Sequence, residues 1–84
     1  MKVSEESVLV EIGKIAARDL GLSRPLQPSD RLIDDLGLDS LTLLTLAVAL
    51  EDHFQVFLSD EAATKIKTLG ELARCVAERA EARS

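Results

Sequence analysis

The fold of this chain depends on residues 34–41, which read DDLGLDSL and lead directly into a continuous apolar segment. Asp39 is a residue type that caps helix N-termini, and Gly37 lets the backbone turn just before it. The apolar residues that follow recur at the spacing of one helical face: Leu43, Ala47, Leu50 and Phe54. We therefore predict a helix from Ser40 to Phe54 with Asp39 as its N-cap.

The segment before this motif predicts a first helix from about Ser4 to Leu20, because its apolar residues also recur at helical spacing. Ser4 is a candidate N-cap. The pair Ser4 and Ser7 does not match a capping-box sequence, so we expect no reciprocal cap there. Gly21 stands where a left-handed residue would end the helix.

Two further helices are predicted after the central one. Ser59 is suited to cap a short helix over residues 60–65, which follows an apolar connector at 56–58. Thr68, with Glu71 three residues later, forms a T-x-x-E capping box that opens the last helix. The buried stripe of that helix is predicted to comprise Leu69, Leu72, Ala73, Val76 and Ala80.

Residues 22–38 are predicted to form a long ordered loop between the first and second helices. Pro25 and Pro28 exclude a regular helix there. Three apolar residues are expected to hold the loop against the core through one short helical turn: Leu32, Ile33 and Leu36. A loop of this length in a small domain is uncommon and usually has a function.

No segment alternates between apolar and polar residues over any length, so the predicted fold class is all-α. We expect a small bundle of three main helices plus one short helix, with the long ordered loop between helices 1 and 2. A chain of 84 residues supports one modest core. Residues 1–84 are therefore interpreted as a single domain with its core at about 5–80 and a frayed end at 81–84.

The composition argues against several functions. Aromatic residues make up 2% of the chain and the net charge is −5, which together argue against nucleic-acid binding. Cys75 and His53 are each the only residue of their type, so a zinc site built from Cys and His alone is excluded and no metal site is expected. No apolar run approaches the length of a membrane span. We expect a cytoplasmic monomer with no membrane partner that, with so few general acids and bases, is not an enzyme.

Acidic residues are concentrated in the middle of the chain. Residues 30–61 contain eight acidic residues and one basic residue, Arg31, whereas the rest of the chain carries a net charge of +2. A region of this kind can steer a basic partner and accelerate encounter without adding much affinity. The same charge could equally serve only to keep a small protein in solution.

Ser40 is the candidate functional residue. It lies in the first turn of a predicted helix, where free N–H groups favour an attached phosphate. His53 is 13 residues along the same helix, too far to act as its base, so Ser40 is not an activated hydrolytic nucleophile. Modification of Ser40 by another enzyme fits better. The alternative is that Ser40 and Asp39 only cap the helix.

In the order and spacing of these landmarks the sequence resembles the acyl carrier protein family. The resemblance covers about residues 5–80, and it rests on four segments: DDLGLDSL at 34–41, ALEDHF at 49–54, VFLSDE at 56–61 and IKTLGEL at 66–72. The tripeptide at 39–41 alone would be a weak signal. Together with the preceding loop, the following helix and the capped last helix, it is a strong one.

The resemblance implies that Ser40 is esterified with 4′-phosphopantetheine, which a separate Mg²⁺-dependent phosphopantetheinyl transferase takes from coenzyme A. It implies that Asp39 assists this modification. The thiol of the arm would then hold acyl groups as thioesters, and the carrier would present them to an acyl-loading ligase or transferase and to synthase enzymes. The pathway would be fatty-acid, polyketide or another specialised lipid synthesis. Acyl chains in the family can enter a cavity between the helices, for which Leu44, Leu50 and Ile66 are candidates.

A partner surface is expected on the outer stripe of the second helix, comprising Leu41, Thr45, Val48, Glu51 and Asp52. Family members that serve fatty-acid synthesis often carry acidic residues just after the serine, whereas Thr42 and Thr45 are neutral. We therefore expect a more apolar partner surface and a carrier dedicated to one pathway. Gln55 stands where a glycine is common, so a left-handed helix end there would cost about 1 kcal/mol unless the helix ends differently.

Two alternatives remain open at this point. A carrier of aminoacyl groups in nonribosomal peptide assembly would usually show a Gly-Gly pair where this chain has Gly37-Leu38-Asp39, which favours the acyl interpretation. A non-carrier helical module that docks a partner helix through the outer stripe would use Ser40 only as part of a cap.

Overall fold

Four α-helices account for most of the backbone in the computed structural model, which describes residues 3–22 and 25–83. The helices are α1 (Glu5–Ile15), α2 (Ser40–Phe54), α3 (Asp60–Lys65) and α4 (Leu69–Arg83). Within the described ranges, the only β-pairing is an isolated bridge between Arg31 and Thr68. The predicted all-α class is confirmed, and the predicted bounds of α2 and α3 agree with the structure. Residues 81–83, where fraying is expected, are helical.

The start of α1 differs from the prediction. Ser4 and Ser7 do form a capping box: the Ser7 N–H donates to Ser4 Oγ and the Ser4 N–H donates to Ser7 Oγ, both at 3.2 Å. The expectation of no reciprocal cap was wrong because the short serine hydroxyl can replace the usual Glu or Gln acceptor. At the other end, α1 continues as a π-helical segment over Ala16–Leu20, and Gly21 ends it at φ 71°, as predicted.

Both ends of α2 are fixed by local hydrogen bonds. Asp39 is the N-cap, as predicted, and it forms a capping box in which each of Asp39 and Thr42 accepts the other's backbone N–H at 2.8 Å. Gln55 ends the helix in the left-handed conformation at φ 56°, although it is not a glycine. Its side-chain Nε2 donates to the Asp52 carbonyl at 2.6 Å, which offsets part of the cost of that conformation.

The long loop is tied to the start of α4 by backbone hydrogen bonds. Leu32 N–H donates to the Lys67 carbonyl at 2.9 Å, and Leu69 N–H donates to the Asp30 carbonyl at 3.0 Å. Residues 31–37 make the predicted helical turn, in which Gly37 N–H reaches the Ile33 carbonyl. Part of the predicted loop, residues 23–24, lies outside the described residues. The turn buries Leu32 and Leu36, but Ile33 is exposed, contrary to its expected role in holding the loop.

The core lies where α1 and α4 pack against each other, and α2 packs against both of them. Its fully buried side chains come from all three long helices: Val8, Ile12, Leu46, Leu50, Leu69 and Val76. The predicted capping box of Thr68 and Glu71 sets the start of α4, and Ser59 Oγ accepts the Ala62 N–H at the start of α3. Among the described residues, no helix has both the length and the apolar character to span a bilayer.

Two glycines in helices predict opposite effects of adding a methyl group. A Cβ on Gly70 would lie 3.0 Å from the Pro28 carbonyl oxygen and 3.3 Å from Pro28 Cβ, whereas a Cβ on Gly13 would meet nothing within 4 Å. We expect Gly13→Ala to raise the free energy of unfolding by about 0.5–1 kcal/mol, because alanine loses less backbone entropy in a helix. Gly70→Ala should lower it, because the loop backbone must move. Urea denaturation of both variants tests this, and equal stabilisation by the two would contradict the close approach at Gly70.

Candidate functional site

Ser40 is the first residue of α2 and is exposed. Its position is set by the residues just before it. Gly37 takes a left-handed conformation at φ 69°, and Leu38 is buried and donates its N–H to the Leu32 carbonyl at 3.0 Å. No residue in the described part of the chain hydrogen-bonds to the Ser40 hydroxyl. A buried anchor two residues upstream therefore brings a free hydroxyl to the surface at a helix N-terminus, where unpaired N–H groups favour an anion.

Asp39 is held by the cap and is ionised at neutral pH. Its Oδ1 accepts the Thr42 backbone N–H at 2.8 Å and the Thr42 hydroxyl at 2.9 Å. These bonds, the backbone one first, hold the pKa of Asp39 below its ordinary value. The carboxylate is thus fixed beside Ser40 as a stable negative charge.

A cavity of about 610 Å³ lies beside Ser40, between α2, the long loop, the connector at 56–58 and the start of α4. Its lining is mainly apolar and comprises Leu32, Ile33, Ser40, Leu43, Leu44, Ala47, Glu51, Phe57, Leu58, Ile66 and Leu72. The exposed members of this lining, which include Ser40, Leu44 and Phe57, mark its open side.

Two of the three predicted cavity residues, Leu44 and Ile66, line this space, and Leu50 does not. Leu50 is 0% exposed and belongs to the core. The reason is its angular position: it lies one turn after Leu46, on the side of α2 that faces the core. Ala47, which was not predicted to line the cavity, lines it together with Leu44.

The predicted partner surface separates into two groups. Leu41 and Val48 are 71% and 53% exposed, and Thr45 and Asp52 are exposed on the same stripe. Glu51 does not belong to this stripe, because it is partly buried, lines the cavity and accepts the Leu58 N–H at 2.8 Å. Position 51 follows 47 by one turn and therefore lies on the cavity side of α2. The name outer stripe is kept below for Leu41, Thr45, Val48 and Asp52.

Sequence reasoning missed two exposed apolar residues at the cavity. Phe57 in the connector is 71% exposed and Ile33 in the loop turn is also exposed, yet both line the cavity. The sequence shows Phe57 only as part of an apolar connector, which does not indicate that the connector folds back along α2 to form a wall. Ile33 carries no signal, because its exposure depends on which side of the turn packs against the core.

Part of the acidic charge near the site is used within the loop. Asp35 accepts the backbone N–H of Arg31 at 2.7 Å, and Asp34 forms an ion pair with the Arg31 guanidinium at 3.2 Å. Asp30 accepts the Gln27 N–H at 2.8 Å. These carboxylates therefore hold the loop in shape as well as contributing negative potential near Ser40.

The lowered pKa of Asp39 predicts a specific pH dependence. The capping contribution of an ionised Asp39 is fully present above the pKa of the unfolded carboxyl and is lost as the pH falls through the lower, folded pKa. Replacement by Asn removes the titration and keeps a capping oxygen. We expect the stability of Asp39→Asn to vary less with pH than that of the native chain over the acid range. NMR titration of the Asp39 carboxyl should show its pKa below that of an unstructured peptide, and Thr42→Val should raise it.

Comparisons with known proteins agree with the geometry of the site. A family model described as a phosphopantetheine attachment site matches residues 10–76. An acyl carrier protein from Thermotoga maritima matches with a TM-score of 0.88 at 22% identity, over 95% of this chain and 94% of that chain, which shows a common fold. An acyl carrier protein from Enterococcus faecalis matches at 0.74 and 29% identity, over 94% and 99% of the two chains.

A candidate acyl carrier protein from Mycobacterium tuberculosis is 38% identical, with a TM-score of 0.74 over 88% of this chain and 95% of that chain. Members of the matched family hold a covalently attached 4′-phosphopantetheine group and act as carriers that are not themselves enzymes. With the family model covering most of the helical bundle and the fold shared along nearly the whole length, this chain belongs to the acyl carrier protein family.

Proposed function

We propose that this chain carries acyl groups as thioesters on a 4′-phosphopantetheine arm attached to Ser40. The observation that supports this most directly is the exposed Ser40 hydroxyl at the start of α2, which also lines an apolar cavity of about 610 Å³. The residues around Ser40 fit both the phosphate of the arm and the acyl chain that the arm would carry. The helix N-terminus suits the phosphate, and the apolar cavity suits a hydrocarbon chain.

The attachment chemistry assigns different roles to the two neighbouring residues. In the transfer, the Ser40 oxygen would lose its proton and form a new O–P bond to the phosphopantetheine phosphate, while the pyrophosphate bond of coenzyme A breaks and its adenosine bisphosphate half leaves. Asp39 keeps its carboxylate ionised, with Oδ1 bound by Thr42. The other carboxylate oxygen is the one we assign to the Mg²⁺ ion of the transferase. When attached, the arm supplies the thiol on which an acyl group is held.

The cavity supports an acyl cargo over an aminoacyl cargo. Leu43, Leu44, Ala47, Ile66 and Leu72 contribute hydrocarbon to its lining. The carboxylate in that lining, Glu51, already accepts the Leu58 N–H, so most of the surface favours an uncharged chain over an amino group. Each buried methylene is worth about 0.8 kcal/mol, so an eight-carbon chain could gain at most roughly 5–6 kcal/mol by entering. That gain is large enough to hold the chain away from water between encounters with enzymes.

The outer stripe is the surface proposed for the partner enzymes, namely the phosphopantetheinyl transferase, the acyl-loading ligase or transferase, and a synthase. Leu41 and Val48 expose apolar side chains, and Thr45 is uncharged, so contact there is mainly apolar. Asp52 and the carboxylates of the loop lie nearby and would steer a basic partner during approach. The absence of charge at Thr42 and Thr45, just after the serine, supports use in one dedicated polyketide or specialised lipid route.

Intact mass measurement tests the attachment. Incubation with coenzyme A and a phosphopantetheinyl transferase should add one phosphopantetheine group to the native chain and none to Ser40→Ala. Ser59→Ala is the matched control, because Ser59 also lies at a helix N-terminus and its loss leaves Ser40 in place. A gain in Ser40→Ala, or no gain in the native chain with several transferases, would overturn the proposal.

A pair of valines tests the outer stripe. Val48 on α2 and Val10 on α1 are 53% and 54% exposed. An aspartate at either position should therefore change the free energy of unfolding by a similar amount. We expect Val48→Asp to slow acyl loading at least about fivefold, because an apolar contact at the centre of an interface is worth more than about 1 kcal/mol. Val10→Asp should load at the native rate. Equal effects at the two positions would place the docking surface elsewhere.

A further inference from the structure

Glu51 binds the connector after α2 through both its backbone and its side chain. Its carbonyl oxygen accepts the N–H groups of Gln55 and Val56, the latter at 3.1 Å. Its carboxylate Oε2 accepts the N–H of Leu58 at 2.8 Å in a partly buried position. One residue of α2 therefore holds three N–H groups of the segment 55–58.

The location of this carboxylate is unfavourable within α2 alone. Glu51 lies in the last turn of the helix, where the carbonyl ends make the potential negative and disfavour an anion. Its partner is seven residues away along the chain, beyond the helix end. A short hydrogen bond to a charged acceptor in a partly buried setting is among the stronger kinds. The Glu51 side chain therefore stabilises the connector and not α2 itself.

The connector also forms one wall of the cavity. Phe57 and Leu58 both line it, Leu58 is buried and Phe57 is exposed. Glu51 lines the same cavity from the α2 side. The bond from Leu58 N–H to Glu51 thus joins two walls of the cavity, and the position of the Phe57 side chain depends on the backbone that this bond holds.

We propose that Glu51 is a positioning residue that clamps the connector to α2 and holds this wall of the cavity in place along an acyl chain. The proposal rests on the proposed function, since it concerns the shelter of a cargo carried on Ser40. This role replaces the place on the partner surface that the sequence predicts for Glu51. Its neighbour Asp52 lies on the outer stripe and is exposed, so it provides a matched carboxylate that does not bind the connector through its side chain.

Amide hydrogen exchange in the unloaded protein tests the clamp without any cargo. In Glu51→Ala the Leu58 N–H should exchange about tenfold faster, which is the factor expected for loss of one hydrogen bond to a charged acceptor. Glu51→Gln should exchange at an intermediate rate, because its amide oxygen can still accept the bond. Asp52→Ala should leave the Leu58 rate unchanged. Native exchange at Leu58 in Glu51→Ala would overturn the clamp.

Thioester reactivity tests the shelter. The protein is loaded from octanoyl- or acetyl-coenzyme A, and hydroxylamine is added; it attacks the thioester carbonyl, a C–N bond forms, the C–S bond breaks, and the sulfur leaves as the thiol. We expect the octanoyl form of the native protein to react several-fold more slowly than the acetyl form, which is too short to fill the cavity. Glu51→Ala should bring the two rates within about twofold of each other. Glu51→Gln should retain most of the difference, and Asp52→Ala should retain all of it.

The two experiments separate the failure of this inference from the failure of the proposed function. If Ser40 never accepts the arm, the carrier function fails, and the exchange rate of Leu58 still decides whether Glu51 clamps the connector. If loading succeeds and Glu51→Ala shelters the octanoyl thioester as well as the native protein does, the clamp has no role in shelter and the inference is wrong. Equal acceleration of the acetyl and octanoyl forms in Glu51→Ala would also contradict it, because a general structural effect has no chain-length dependence.

Discussion

The backbone bonds between the long loop and the start of α4 are the constraint on which the rest of the structure depends. Leu32 and Leu69 each donate an N–H across this junction, to Lys67 and Asp30, and Gly70 donates to Pro28 at 2.9 Å. A loop that contains two prolines has no helix to satisfy its polar backbone groups, and this pairing provides partners for them. The same pairing fixes the turn at residues 31–37, and the position of that turn sets where α2 begins.

Helix α2 presents three different environments around its circumference. Leu46 and Leu50 face the core, Leu44 and Ala47 face the cavity, and the outer stripe faces solvent. The helix is therefore apolar over far more of its surface than a helix that covers a core on one side only. The fifteen residues of α2 therefore supply a core wall, a cavity wall and an apolar outer surface. The fixed start at Asp39 is what keeps these three faces in register with the rest of the bundle.

Local patterns in the sequence predicted the fold well because caps and breakers act over a few residues. The Asp39 cap, the T-x-x-E box at Thr68 and the left-handed Gly21 all occur where their residue types indicate. The failure at Ser4 is also local, since a serine was not counted as a capping-box partner. Each of these features is decided by a hydrogen bond that spans three to five residues, so all the residues involved lie within one short stretch of sequence.

The site was predicted less completely, because its details depend on contacts between distant segments. The spacing gives the angular positions of Leu50 and Glu51 around α2. It does not give the segment of the chain that packs against each face of the helix. That depends on the connector and the loop turn, which are placed by tertiary pairing. The position of Ser40 at an exposed helix N-terminus was accessible to prediction because its setting is local. The cavity wall at Phe57 was not, because an exposed aromatic residue becomes part of a wall only when the connector folds back along α2.

The hydroxyl of Thr45 has a consequence for how long a partner stays bound. Its Oγ1 donates to the Leu41 carbonyl at 3.0 Å, so this polar group is already satisfied within the helix. An enzyme that covers the outer stripe therefore need not supply an acceptor for the Thr45 hydroxyl. Covering this hydroxyl leaves no unsatisfied donor, so no desolvation penalty arises from it. Such a surface can accept partners with different contact residues. Dissociation from it is fast, because only a few apolar contacts hold each complex together. A molecule that must visit several enzymes in succession benefits from brief residence on each of them.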